Sequence, residues 1–169
     1  MVVDETGHTF RARTGTTWAR RGRTPVLRRV SKRREVSSIV GITPDGRLAA
    51  RHFRGAIDSA KVVLAVRYFQ RRFGRRLLLV WDRLNAHRSK QVQRFLAAHA
   101  PDVAVAYLPA YAPELNPEEQ CNAWVKGAMA NALPASVDEL AAYARRSFRQ
   151  LQRQPAMITH FFHHAGLRC

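Results

Sequence analysis

Leu77, Leu78, Leu79, Val80 and Trp81 form an unbroken apolar run, and Asp82 follows it directly. With no polar residue to turn toward water, an extended segment here has no wet side. The pattern predicts a strand buried on both faces, as in a sheet covered by helices on either side. A carboxylate at the end of such a strand is costly unless it meets solvent, a partner or a cation. Taken by itself, Asp82 could equally cap the helix that follows.

The flanking segments fill in an α/β order. Residues 36–43 (VSSIVGIT) read as a strand, Pro44-Asp45-Gly46 as a turn and residues 47–53 as the returning strand. Asp58 or Ser59 caps a helix through about Phe73, with Val62, Val63, Val66, Phe69 and Phe73 at helical spacing and Gly74 as its stop. A second helix is expected over residues 89–99 and a further buried strand over residues 103–108. Pro134 and Ser136 open the last expected helix, with Leu140, Tyr143, Ala144, Phe148 and Leu151 on one face. Residues 1–3 read as the end of a strand with Asp4 at its tip. There is no internal repeat and no linker, so residues 1–169 are read as one domain.

The segment PAYAPELNP, residues 109–117, carries three prolines and can be neither an ordinary helix nor a central strand. It reads as a stiff loop that delivers Glu118 and Glu119 to the start of a helix running to about Asn131. Acids in a first helical turn are favoured by the macrodipole alone. Asp4 and Glu5 form a second acidic pair at a strand end. The chain is poor in acids, yet they recur at strand ends and after the proline loop. Three carboxylates that meet can hold two divalent cations roughly 3.5–4 Å apart, and Mg²⁺ favours such oxygen ligands.

Twenty-nine Lys and Arg against twelve Asp and Glu give a net charge of +17. Such a field captures polyanions, although a solvated basic surface has the same composition. Between Arg11 and Arg34 lie Arg13, Arg20, Arg21, Arg23, Arg28, Arg29, Lys32 and Arg33, with Trp18 and Pro25 among them and no acid. That stretch reads as a basic hairpin or loop able to track phosphates. Arg88 and Lys126 join the candidate phosphate contacts. The cysteines, Cys121 and Cys169, form no Cys-x-x-Cys spacing, and a reduced, cytosolic setting is the simpler reading. His160, His163 and His164 cluster near the C-terminus without the Cys/His spacing of a zinc site. No run of about 18 apolar residues predicts a membrane span, and the N-terminus lacks the pattern of a signal peptide.

Four segments carry a resemblance. YLPAYAPELNPEEQCNAWVK resembles the "LPPYSP-LNP-x-E…LK" signature of insertion-sequence transposases in the broad mariner-like superfamily. VWDRLNAHRSK is similar to that group's second-Asp motif, with a His a few residues on. VVDETGHTF resembles its first-Asp motif, and WARRGRTPVLRR its "WAPRGQTPVLR" segment. The segments fall in the family's order along essentially the whole chain.

The resemblance implies a ribonuclease H-like α/β fold, a mixed sheet flanked by helices. It implies a DDE triad of Asp4, Asp82 and Glu119, holding two Mg²⁺ or Mn²⁺ ions that serve cleavage and strand transfer of DNA. Thirty-six residues separate Asp82 from Glu119, close to the family's usual spacing. Glu5 and Glu118 are then decoys, and His87 and Asn116 support the site from outside it. The family's Trp three residues after the third acid is replaced by Asn122, with Trp124 two residues later. Lys126 stands where the family often has Lys, and Ala110 and Ala112 replace Pro and Ser. Implied partners are double-stranded DNA, further copies of the chain on that DNA, and a helix-turn-helix reader. The family carries that reader before the first Asp, so it is expected on a separate polypeptide or lost. A nucleoid-associated location in a bacterial cytoplasm follows. A catalytically inactive remnant that binds DNA by charge, and another ribonuclease H-like nuclease, are the alternatives.

Overall fold

The computed structural model describes residues 1–10, 15–26, 28, 35–109 and 112–167. Arg11, Arg13, Arg29, Lys32, Arg33, Arg34, Ala110 and Cys169 lie outside the described residues, and with them part of the expected basic hairpin. Five strands, β1 (Val2–Thr9), β2 (Glu35–Ile42), β3 (Leu48–Arg54), β4 (Leu77–Trp81) and β5 (Val103–Tyr107), form one sheet in the order β3-β2-β1-β4-β5. The pairs β1–β2 and β2–β3 are antiparallel, and β1–β4 and β4–β5 are parallel. Helices α1 (Ser59–Phe73), α2 (Lys90–Ala98), α3 (Pro117–Ala128), α4 (Val137–Gln152) and α5 (Pro155–His164) cover it. Among the described residues, no helix is long and apolar enough to cross a membrane.

Alternation along the strands sorts the core into two layers. Val3, Ile39, Ala49, Leu79, Trp81 and Val103 pack against Val62, Ala65, Val66 and Phe69 of α1 and Val92, Phe95 and Leu96 of α2. Val2, Val36, Val40, Ile42 and Leu48 pack on the other face against α3, α4 and α5. Caps fix where the helices begin: the side chains of Asp58, Ser89, Asn116 and Ser136 accept from Lys61, Val92, Glu118 and Glu139 backbone N–H groups.

The structure corrects four expectations. β1 is not cut to three residues. It pairs with β2 over its whole length, from Val2 opposite Ile42 to Thr9 opposite Glu35, so Asp4 sits inside the strand and not at its tip. β4 and β5 are not buried on both faces: Leu78 is 55% exposed, and Ala104 and Ala106 are exposed. The helices over that face pack against β1, β2 and β3 and leave the β4–β5 corner bare. α3 stops at Ala128, because Asn131 takes a left-handed φ of 61° and its side chain bonds both the N–H and the C=O of Gly15. α5 is an additional helix. It docks on the β2–β3 turn, where Gly46 has a φ of 82° and a Cβ would lie 2.7 Å from the Pro155 carbonyl oxygen. Only glycine fits there.

A polar chain crosses the sheet under α4. His8 Nε2 lies 3.0 Å from Ser38 Oγ, which lies 2.8 Å from His52 Nδ1, and both rings pack on Phe148. Burial lowers the pKa of His8 to about 4, helped by the charges of His52 and Lys126. Burial likewise lowers His52 to about 4, helped by Arg145, Arg149 and Arg51. In the unfolded chain both would take up a proton near the ordinary value of 6.5. Unfolding therefore binds protons between those values, and this contribution to stability falls as pH drops from 6.5 toward 4, by up to ~3 kcal/mol per histidine. Urea unfolding of wild type and of the His8→Asn/His52→Gln variant across that window should show the variant losing less stability on acidification. Parallel pH profiles would contradict this assignment.

Candidate active site

The single bridge between β1 and β4 pairs Val2 with Val80. Two residues on, along parallel strands, Asp4 and Asp82 stand side by side, and strand alternation turns both toward the α3 face. Trp81 C=O still accepts from Leu108 N at 2.9 Å, so the chain leaving β5 stays alongside before Pro109. A 3₁₀ turn at Pro113–Leu115 then leads to Asn116, which caps α3, with Pro117 in the first helical position. Asp4, Asp82, Asn116 and Glu119 come together with Leu108, Pro109, Ala112 and Pro113 around one crevice of about 220 Å³.

Asn116 serves two purposes. Its Oδ1 accepts from Glu118 N at 3.1 Å, starting α3, and its Nδ2 donates to Asp4 Oδ2 at 2.8 Å. The other oxygen of Asp4 accepts from Glu5 N at 2.7 Å. Burial raises the Asp4 pKa to about 7, against that backbone hydrogen bond and with help from the charges of Glu5, Glu119 and Asp82. Acids that repel one another in a part-buried crevice make a receptor for a cation. Asp82 is half exposed, and its Oδ1 accepts from Leu84 N at 2.9 Å.

Glu118 and Glu119 are adjacent, yet α3 sends them to different places. Glu119 is exposed on the crevice. Glu118 is fully buried; Asn122 Nδ2 donates to its Oε2, and its Oε1 has no partner. Burial pushes its pKa well above the usual carboxylate range, with Asp4, Glu119 and Glu5 adding to the effect, so Glu118 is held as a neutral acid. The Asn122 that replaces the resembled family's Trp is thus the partner of a buried carboxyl group.

Glu5 points the other way from Asp4, as the next residue of a strand must. Its Oε1 lies 2.6 Å from His87 Nε2, and His87 Nδ1 lies 3.0 Å from Asp82 Oδ1. His87 is fully buried and stacks flat on Trp81, ring centroids 4.2 Å apart. Burial disfavours the imidazolium, but the hydrogen bond and charge of Glu5, with those of Asp82, outweigh it and raise the pKa. Sequence reasoning set Glu5 aside. The available signal was strand alternation: Asp4 and Glu5 cannot share a face. Donor atoms of Glu5, Asp82 and His87 all lie within 4.8 Å of one another, the one such trio among the described residues, and the three acids of the crevice are spread more widely.

Among the described residues, none of the expected DNA contacts lines the crevice. Arg20, Arg21, Arg23 and Arg28 are exposed in the segment after β1. Arg88 lines a separate cavity of about 330 Å³ with Arg83, Gln93 and Tyr107. Lys126 is half-buried on α3, and His160, His163 and His164 are exposed on α5. A larger concavity of about 730 Å³ lies among Arg145, Arg146 and Arg149 of α4 and Arg153 just beyond it, and no carboxylate lines it.

Residues 1–141 match the family model of DDE superfamily endonucleases. No curated protein matches the chain. Among solved structures, the Mos1 mariner paired-end complex with Mn is similar with a TM-score of 0.65 at 16% identity, over 96% of this chain and 53% of that one. The Mos1 strand transfer complex gives 0.58 at 15% identity, over 98% and 55%. The catalytic domain of Mos1 mariner transposase alone gives 0.59 at 15% identity, over 99% and 83%. The chain spans about half the length of the full transposase chains and most of the isolated domain. At these identities the likeness establishes the fold, which is ribonuclease H-like.

The raised Asp4 pKa has a measurable consequence. Its ordinary value is 3.8, so folding binds a proton in the window up to about 7, and this contribution to stability is lost as pH rises through about 7. A cation on Asp4 needs the carboxylate ionised and reverses that loss. Added Mn²⁺ should raise the thermal midpoint more at about pH 8 than at about pH 6, and Asp4→Asn should remove the difference. A pH-independent gain, or one that Asp4→Asn retains, would show that Asp4 is not a ligand.

Proposed function

This chain belongs to the DDE superfamily of endonucleases, and on that premise we propose that it is the catalytic domain of a DNA transposase, cutting and joining phosphodiesters at transposon ends. The observation that carries the reading is the convergence of Asp4, Asp82 and Glu119, from two neighbouring strands and a helix start, on one crevice. Paired-end and strand-transfer assemblies of Mos1 support DNA ends as the substrate and an oligomer on DNA as the working form.

The donor set fits Mg²⁺ or Mn²⁺: all-oxygen, part-buried, mutually repelling and open to solvent on one side. Mos1 structures with either metal support the choice. Asp4, Asp82 and Glu119 would hold two ions. Bound there, the ions supply activation of the attacking water or 3′-hydroxyl and charge for the leaving oxygen. The chain's own residues do the rest. Asn116 holds Asp4 in register with α3. The proline loop keeps Glu119 on the crevice and not in the core. The exposed arginines Arg20, Arg21, Arg23, Arg28 and Arg88 neutralise DNA phosphates along the approach, which makes binding steeply salt-dependent.

The test is metal-dependent nicking of a supercoiled plasmid carrying a candidate transposon end. Asp82→Asn and Glu119→Gln should each lower the rate by about 100-fold or more, as loss of a metal ligand does. Glu118→Gln, which swaps a neutral acid for a neutral amide, should stay within a few-fold of wild type. Equal nicking by Asp82→Asn, or a loss in Glu118→Gln as large as in Glu119→Gln, would refute the assignment.

A further inference from the structure

We propose that Glu5 and His87 are positioning residues that fix the Asp82 carboxylate from the opposite face of the sheet. The inference rests on the reading of Asp82 as a metal ligand. Asp82 is the first residue after β4, half exposed, with one turn hydrogen bond from Leu84 N to define its side chain. A carboxylate so placed has several rotamers open to it, and ordering it at the moment of cation binding is costly.

His87 removes that freedom. The loop after β4 turns back on itself, with His87 N and Arg88 N both donating to Leu84 O, and inserts the imidazole beneath the strand end. Trp81 fixes the plane of the ring by stacking at 6°. Nδ1 then faces Asp82 Oδ1 at 3.0 Å, and Nε2 is held by Glu5 at 2.6 Å. Gln93 Nε2 donates to His87 O at 3.3 Å and ties the loop to α2. Held by Glu5 at Nε2 and hydrogen-bonded at Nδ1 to the Asp82 main-chain O at 3.3 Å, the ring is fixed against the Asp82 side chain, as outer groups orient metal-binding carboxylates.

The consecutive acids of β1 thus act on both halves of the site. Asp4 faces the crevice itself, and Glu5 reaches Asp82 through His87. A rival role, in which Glu5, His87 and Asp82 ligate an ion together, is disfavoured by the geometry: Nε2 is hydrogen-bonded to Glu5, Nδ1 to the Asp82 main-chain O, and the ring is fully buried.

Calorimetric Mn²⁺ binding to the full chain, alongside the nicking rate, tests the proposal. Glu5→Ala and His87→Ala should weaken Mn²⁺ binding and nicking by about 10–100-fold, the range for loss of groups that orient a metal ligand. Glu5→Gln, whose amide can still hold Nε2, should restore both to within about 3-fold of wild type. Comparable thermal midpoints for Glu5→Ala and Glu5→Gln would tie the difference to positioning. Wild-type Mn²⁺ affinity in Glu5→Ala would overturn the proposal. So would a Glu5→Gln variant as weak as Asp82→Asn, which would make Glu5 a ligand. Binding that follows this order without DNA cleavage would support the positioning role and count against the transposase reading alone.

Discussion

One parallel contact, Val2 beside Val80, sets the site. Val80 N donates to Met1 O at 2.9 Å, and Met1 N donates to Leu78 O at 2.8 Å, so the start of β1 is tied alongside the second half of β4. Burial of Val2, Val3 and Leu79 on the two faces holds that register, since a slip by one residue would exchange the faces of every side chain. In this register Asp4 and Asp82 are neighbours on one face, and Glu5 and His87 meet under the other. Each acid then has one assignment that the backbone dictates.

Keeping like charges together works against folding, and the surroundings show how it is tolerated. Asp4 gains two hydrogen bonds and a raised pKa, Glu118 is kept neutral in the core, and Asp82 and Glu119 retain solvent. Glu5 and Asp82 share a buried base, His87. The site is therefore a region where like charges strain the fold, a stress that a divalent cation would relieve.

Much of this was legible in the sequence, for reasons tied to particular residues. The LLLVW run fixed β4 and the place of Asp82. The prolines marked where α3 begins, but the preference for Glu119 over Glu118 came from the register of the resembled motif. The length of β1 was hidden, because Asp4, Glu5, Thr6, His8 and Thr9 look like a loop until their partners are known. Asp4 faces the crevice, Glu5 meets His87, and His8 meets Ser38 across a strand that lies far away in sequence. α5 was hidden too. Its apolar residues Ile158, Phe161 and Phe162 are interrupted by three histidines, its cap residue Gln154 makes no side-chain cap, and its docking point is the Gly46 turn. The bare face of β4 and β5 could not be read from an apolar run that looked doubly buried. Coverage is a property of the helices, and α3, α4 and α5 lie over the other strands.

The most direct measurement is the position of Mn²⁺ by anomalous X-ray scattering from crystals soaked in the metal. The account predicts manganese in the crevice, bound by carboxylate oxygens of Asp4, Asp82 and Glu119, with Glu118 left in the core and His87 still between Glu5 and Asp82. Manganese on His87 or Glu118, or none at the crevice at a concentration that supports nicking, would contradict it.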